Sequence, residues 1–87
     1  MRTLRLRGEL DLGTAGLARE ALREALADDH EEVLVDLTEL AFIDSTGIAI
    51  LIAALADDDG VLRFIPSRAP AVARVLRLTG VEDRLPV

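Results

Sequence analysis

From Thr3 to Arg7 the side chains alternate, with Leu4 and Leu6 on one side and Arg5 and Arg7 on the other. This period of two predicts a strand buried on one face. Gly8-Glu9-Leu10-Asp11 breaks the pattern, and Thr14 offers a hydroxyl to cap a helix. That helix is expected over Leu17–Leu26, where Leu17, Ala18, Ala21, Leu22, Ala25 and Leu26 recur at helical spacing. Arg19, Glu20, Arg23 and Glu24 fall on its other face. The polar stretch Asp28–Glu32 reads as a loop. Val33-Leu34-Val35 is a continuous apolar run that predicts a strand covered on both faces. A short loop then leads to Asp44-Ser45-Thr46-Gly47 and an apolar helix over Ile48–Ala56. Asp57-Asp58-Asp59-Gly60 ends that helix, with Gly60 suited to a left-handed stop. Val61–Ile65 predicts a third strand. Pro66 and Pro70 bracket a turn, and Pro70 suits the first position of a helix over Ala71–Leu78. Val72, Val75, Leu76 and Thr79 share a face of that helix, Arg74 and Arg77 lie off it, and Gly80 ends it.

Strands alternating with helices imply right-handed crossovers, so the expected class is α/β with a mainly parallel sheet. At 87 residues the chain is read as one domain, residues 1–87, and its apolar fraction of 51% supports a core. That core must be aliphatic, because the sequence holds two Phe and no Tyr or Trp. The formal charge of −6 and the scarcity of aromatic rings argue against nucleic acid and against an anionic membrane face. There is no Cys, which excludes disulfides, thiolate zinc sites and a Cys nucleophile. The N-terminus does not read as a signal peptide, and Ile48–Ala56 is about half the length of a membrane span. A cytoplasmic chain without membrane insertion is the expectation.

Asp44-Ser45-Thr46-Gly47 admits two readings. Asp, Ser and Thr ahead of an apolar helix are ordinary capping residues. The same residues hold a hydroxyl at a helix start, a good place for a reversible phosphate. Gly47 costs ~1 kcal/mol relative to Ala within a helix, which is easier to understand if a partner backbone must come close. The helix behind it has no polar face. Ile48, Leu51, Ile52 and Leu55 can face the sheet, which leaves Ile50, with Ala49 and Ala53, for other faces. A phosphate on Ser45 would add about −1.5 to −2 charges at the positive end of the helix, where backbone N–H groups tolerate it.

Other candidates are weaker. The carboxylates of Asp57, Asp58 and Asp59 are contiguous, whereas a calcium loop spaces its ligands alternately. His30 lies among carboxylates with no further imidazole or thiolate, so no metal site is expected. No catalytic residue and no cofactor are expected. Ser45 lacks the Gly-x-Ser-x-Gly elbow, and the chain has no Gly-Lys-Ser/Thr phosphate loop.

Leu6-Arg7-Gly8-Glu9-Leu10-Asp11, Val33–Thr38, Phe42–Ile48 and Val75–Val81, in this order and spacing, resemble the STAS domain of bacterial anti-sigma factor antagonists. The resemblance spans roughly residues 4–85. It implies a STAS-like α/β domain that, unphosphorylated, binds an anti-sigma factor, commonly a serine kinase of the histidine-kinase-like ATPase fold. Phosphorylation at the position of Ser45 would end the binding, and a phosphatase would restore it. Asp44 would orient the loop and the hydroxyl, and Thr46 would fill the second hydroxyl position. Gly47, Ile48 and the outer face of the helix, Ile50 included, would meet the partner. Members usually carry a further strand before Thr3 and a further strand and helix after Leu85. Relative to them the domain reads as trimmed at both termini, and a trimmed sheet edge could pair in a homodimer. Cytoplasmic subunits of phospholipid transport complexes resemble the chain in the same loop. They imply an alternative in which the loop docks onto an ATPase whether or not it is phosphorylated.

Overall fold

The computed structural model describes residues 2–27, 32–56 and 61–78. The elements run β1 (Arg2–Arg5), β2 (Gly8–Leu10), α1 (Ala15–Ala25), β3 (Val33–Asp36), β4 (Leu40–Ile43), α2 (Ser45–Ala56), β5 (Leu62–Ile65) and α3 (Pro70–Leu78). Every strand pairing is parallel, as the alternating order of elements predicts. The strands form two small sheets, β1-β3-β5 and β2-β4.

The two sheets follow from one bend made twice. β1 leads into β2, and β3 into β4, across short interruptions. Gly8 adopts φ 76, in the left-handed region where a side chain is strained. Opposite it the register slips: Gly8 pairs with Leu40 but Glu9 pairs with Phe42, leaving an extra residue in β4. Such a bulge bends the strand that carries it. Gly8–Asp11 and the stretch after Leu37 are therefore not simple breaks, as their sequence suggests. Each contains a strand beyond the bend.

In the three-stranded sheet, Leu4, Val35 and Phe64 stand in register, as do Val33 and Leu62. This face is the core face: Val33, Val35, Leu62 and Phe64 are fully buried. The other face carries Thr3, Arg5, Leu34, Asp36, Arg63 and Ile65, all exposed or half-buried. β3 is thus closed on one face and only half covered on the other, not closed on both. α1 lies against β1 and α2, while α2 and α3 lie against β4. Leu22 and Ala25 of α1, Ile50 and Leu51 of α2, and Val72 and Leu76 of α3 join the strands in a single apolar cluster. α1 starts at Ala15, and Leu17 points outward because Ala15 and Ala18 take the inward positions. α3 starts on Pro70, as its fixed φ favours.

Thr14 does not cap α1 through its side chain. Its hydroxyl turns back, donating to the Glu9 carbonyl at 2.8 Å and accepting the Asp11 N–H at 3.0 Å. All of the expected loop Asp28–Glu32 except Glu32, His30 included, the Asp57–Gly60 run, Thr79, Gly80 and the chain from 81 to 87 lie outside the described residues. Among the described residues, no helix is long and apolar enough to cross a membrane. Among the same residues, no group of three His, Cys, Asp or Glu could hold a metal ion.

Candidate functional site

β2 and β4 are parallel, so both end at the same edge of their sheet, and each hands over there to a helix. The Asp44 N–H donates to the Leu10 carbonyl at 3.2 Å, the last rung of that ladder. One residue later α2 begins. Asp44 is its cap: Oδ1 accepts the Gly47 N–H at 3.0 Å, and the Asp44 carbonyl accepts the Ile48 N–H at 2.9 Å. The helix therefore starts three residues before the apolar run does, and Ser45 is its first residue. Asp44 also reaches sideways. Its Oδ2 accepts the Leu12 N–H at 3.3 Å, which ties the β2–α1 turn to the start of α2.

Ser45 is exposed and Thr46 half-buried. Among the described residues, nothing hydrogen-bonds the Ser45 hydroxyl, and the Ser45 and Thr46 N–H groups have no acceptor. They are the orphan donors of a helix N-terminus, a place that tolerates an anion. Asp44 orients the loop by capping α2, not by bonding the Ser45 hydroxyl.

The outward face of α2 differs from the one its sequence suggests. Ile50 is 5% exposed and belongs to the core, whereas Ile52 is 44% exposed. Starting at Ser45, a helical repeat of 3.6 places Ser45, Ala49, Ile52 and Ala56 along one line. All four are exposed, as is the neighbouring Ala53, and Ile48 is half-buried beside them. The first turn of α2 has no acidic residue and its last turn no basic one. The result is an uncharged stripe with Ser45 at its head. Gly47 offers no surface to a visitor. It is buried, and a Cβ there would stand 2.6 Å from the Leu10 carbonyl oxygen and 2.9 Å from Ile43 Cγ1. Its smallness lets α2 seat on β2 and β4. Of the residues expected at the site, Asp44, Ser45, Thr46 and Ile48 gather at this helix start, while Gly47 and Ile50 face inward.

Leu12 adjoins this site without having been expected there. It lies beside Asp44 with its side chain 78% exposed, on a turn fixed from within. Asp11 Oδ1 accepts the Gly13 N–H at 3.0 Å and the Thr14 N–H at 3.2 Å. A lone apolar residue among the turn formers Asp11, Gly13 and Thr14 was the available signal. On the far side of β4, the buried Ser67 hydroxyl donates to the Leu40 carbonyl at 2.6 Å and accepts the Ala69 N–H at 3.0 Å. That bond holds β4 against the approach to α3.

The sequence profile of a family described as Mlab, STAS domain matches residues 2–87. The anti-sigma-F factor antagonist RsfB of Mycobacterium tuberculosis is 31% identical over 80 residues, 91% of this chain. The chain spans 66% of that relative's length. The anti-sigma-B factor antagonist of Staphylococcus aureus is 29% identical over 83 residues, covering 92% of this chain and 76% of its own. The crystal structure of an anti-sigma factor antagonist from Mycobacterium paratuberculosis superposes with a TM-score of 0.81 at 28% identity. It covers 97% of this chain and 73% of that one.

Proposed function

Because this chain belongs to the STAS-domain family, we propose that it is an anti-sigma factor antagonist whose grip on its partner is switched at Ser45. The observation that carries the reading is the exposed Ser45 hydroxyl at the head of the uncharged stripe Ala49, Ile52, Ala53 and Ala56. Unphosphorylated, the stripe docks on an anti-sigma factor that is itself a serine kinase of the ATPase fold. The docking frees the sigma factor. Ser45 Oγ then attacks the γ-phosphorus of the kinase's ATP. The new O–P bond forms as the bond to ADP breaks, and the hydroxyl proton passes to a base on the kinase. A phosphatase hydrolyses the ester and resets the chain. On this reading the protein acts by binding and not by catalysis, and its site of action is the cytoplasm.

A phosphate at this position changes binding more than folding. It adds a dianion to an apolar contact, which an apolar partner surface cannot solvate. The same dianion meets the positive end of α2 and the orphan N–H of Thr46, which offset its presence.

The test is affinity purification from host lysate with wild type, Ser45→Ala and Ser45→Asp, with ATP added and mass spectrometry on bait and prey. The expected result is phosphate on Ser45 of the wild type. An ATPase-fold anti-sigma factor should be retained by wild type and Ser45→Ala and lost by Ser45→Asp. Membrane-complex subunits recovered equally by all three variants, with Ser45 unmodified, would instead establish the transporter-subunit role.

A further inference from the structure

Leu12 poses a physical question. A large apolar side chain is 78% exposed on a turn whose backbone is held by Asp11 Oδ1, by the Thr14 hydroxyl and, from outside, by Asp44 Oδ2. Ordering a turn costs conformational entropy, and here the ordered product displays an apolar group to water. A pre-set, exposed apolar anchor lowers the entropic cost of recognition. Asp44 connects that anchor to the residue next to it in sequence. Its two oxygens are divided between Gly47 at 3.0 Å, within α2, and Leu12 at 3.3 Å, on the turn.

We propose that Asp44 is a positioning residue that makes the Asp11–Thr14 turn answer to Ser45. A phosphate on Ser45 unties this turn from the start of α2, so that the partner meets Leu12 out of place in addition to meeting a charge. This rests on the reading of Ser45 as the modified residue. The dianion sits one residue from the Asp44 carboxylate and repels it. The longer and more exposed of the two bonds, the one to Leu12, gives way, while the cap on Gly47 stays within the helix turn. The matching partner surface is an apolar pocket for Leu12, continuous with the apolar surface that meets the stripe of α2.

The experiment is amide hydrogen exchange by NMR on the whole chain as wild type, Ser45→Ala, Asp44→Asn and protein carrying phosphoserine at position 45. Asn still caps α2 through its carbonyl, but its amide nitrogen cannot accept the Leu12 N–H. Leu12 should exchange about tenfold faster in Asp44→Asn and in the phosphoserine protein, as expected for one lost hydrogen bond, and at the wild-type rate in Ser45→Ala. Gly47 should keep its protection throughout. Unchanged Leu12 exchange in the phosphoserine protein overturns the coupling, and so does equal acceleration of Gly47 and Leu12, which would mean that the whole helix start frays. A second arm uses the anti-sigma factor retained by the wild type: Leu12→Ala should bind it at least about tenfold more weakly with an unchanged melting temperature, and undiminished binding overturns the anchor. If no anti-sigma factor is retained, the antagonist reading fails, while the exchange experiment still decides the coupling.

Discussion

Gly47 concentrates the difference between a residue kept for a visitor and one kept for the fold. Its missing Cβ would fall 2.6 Å from a backbone oxygen and 2.8 Å from Leu10 Cγ, closer than atoms approach without something moving. Ala there improves helix propensity by ~1 kcal/mol but overfills the joint between α2 and β2, at a cost of ~1–3 kcal/mol. Gly47→Ala should therefore lower stability by up to about 2 kcal/mol in urea unfolding. A variant more stable than the wild type would show that the joint is slack. The energetic oddity of a glycine in the first turn was legible in the sequence. Its cause was not, because the crowding atoms belong to Leu10, far away along the chain. Asp44 was legible as a cap for the opposite reason: its partner Gly47 is local. Its second bond, to Leu12, crosses between elements and left no local trace.

The elements that sequence pattern located best are those with a clear contrast between faces. α1 and α3 each alternate apolar and charged residues at helical spacing, and their buried residues were foreseen except Ala15, while Leu17, expected inward, points out. α2 has no such contrast, so its period carried no phase, and the inward and outward roles of Ile50 and Ile52 were exchanged. Paired substitutions test the phase now assigned. Ile50→Ala should cost about 2–5 kcal/mol, as buried truncations do. Ile52→Ala should stay within about 0.5 kcal/mol of the wild type, as exposed ones do. Thermal or urea unfolding of the two reads the difference directly, and comparable losses would place the stripe inside the core. β4 escaped notice because its burial runs in, out, out, in from Leu40 to Ile43. The extra residue of the bulge erases the alternation by which a half-buried strand is recognised.

Among the described residues, the half-buried Asp36 carboxylate is held by donors from β1 and from the turn after β3. The Asp36 carboxyl is held below its ordinary value of 3.8, first by the Thr38 backbone N–H, then by the Thr38 hydroxyl and the Arg5 guanidinium, against the effect of burial. The Thr38 donors lie at 2.9 and 2.8 Å, and Arg5 at 3.4 Å. A lowered folded value means that the unfolded chain takes up the proton first. The stabilisation is complete above the unfolded value and is lost as pH falls through the folded one. The acid limb of the global stability curve should therefore shallow in Thr38→Ala, and the Asp36 carboxyl should titrate below 3.8 in the wild type and nearer to it in the variant by carbon-detected NMR. A wild-type midpoint at or above 3.8 would remove the effect. At this scale the parallel α/β class was open to the sequence, because the order of elements constrains handedness and pairing. The division into two sheets was not, because it depends on one backbone angle at Gly8 and one register slip.

That bend has a consequence for how such a domain diversifies. The three-stranded sheet holds the fully buried Val33, Val35, Leu62 and Phe64, while Leu12 and Ser45 form an exposed ledge just past the ends of the shorter pair. On the docking proposed above, changes at Leu12, Ala49 or Ile52 alter what the ledge fits and remove nothing from the floor. A duplicated copy can drift at the ledge alone, find a different partner, and still fold. Several such copies can then share one cell as insulated circuits, distinguished by a handful of exposed side chains on a common chassis.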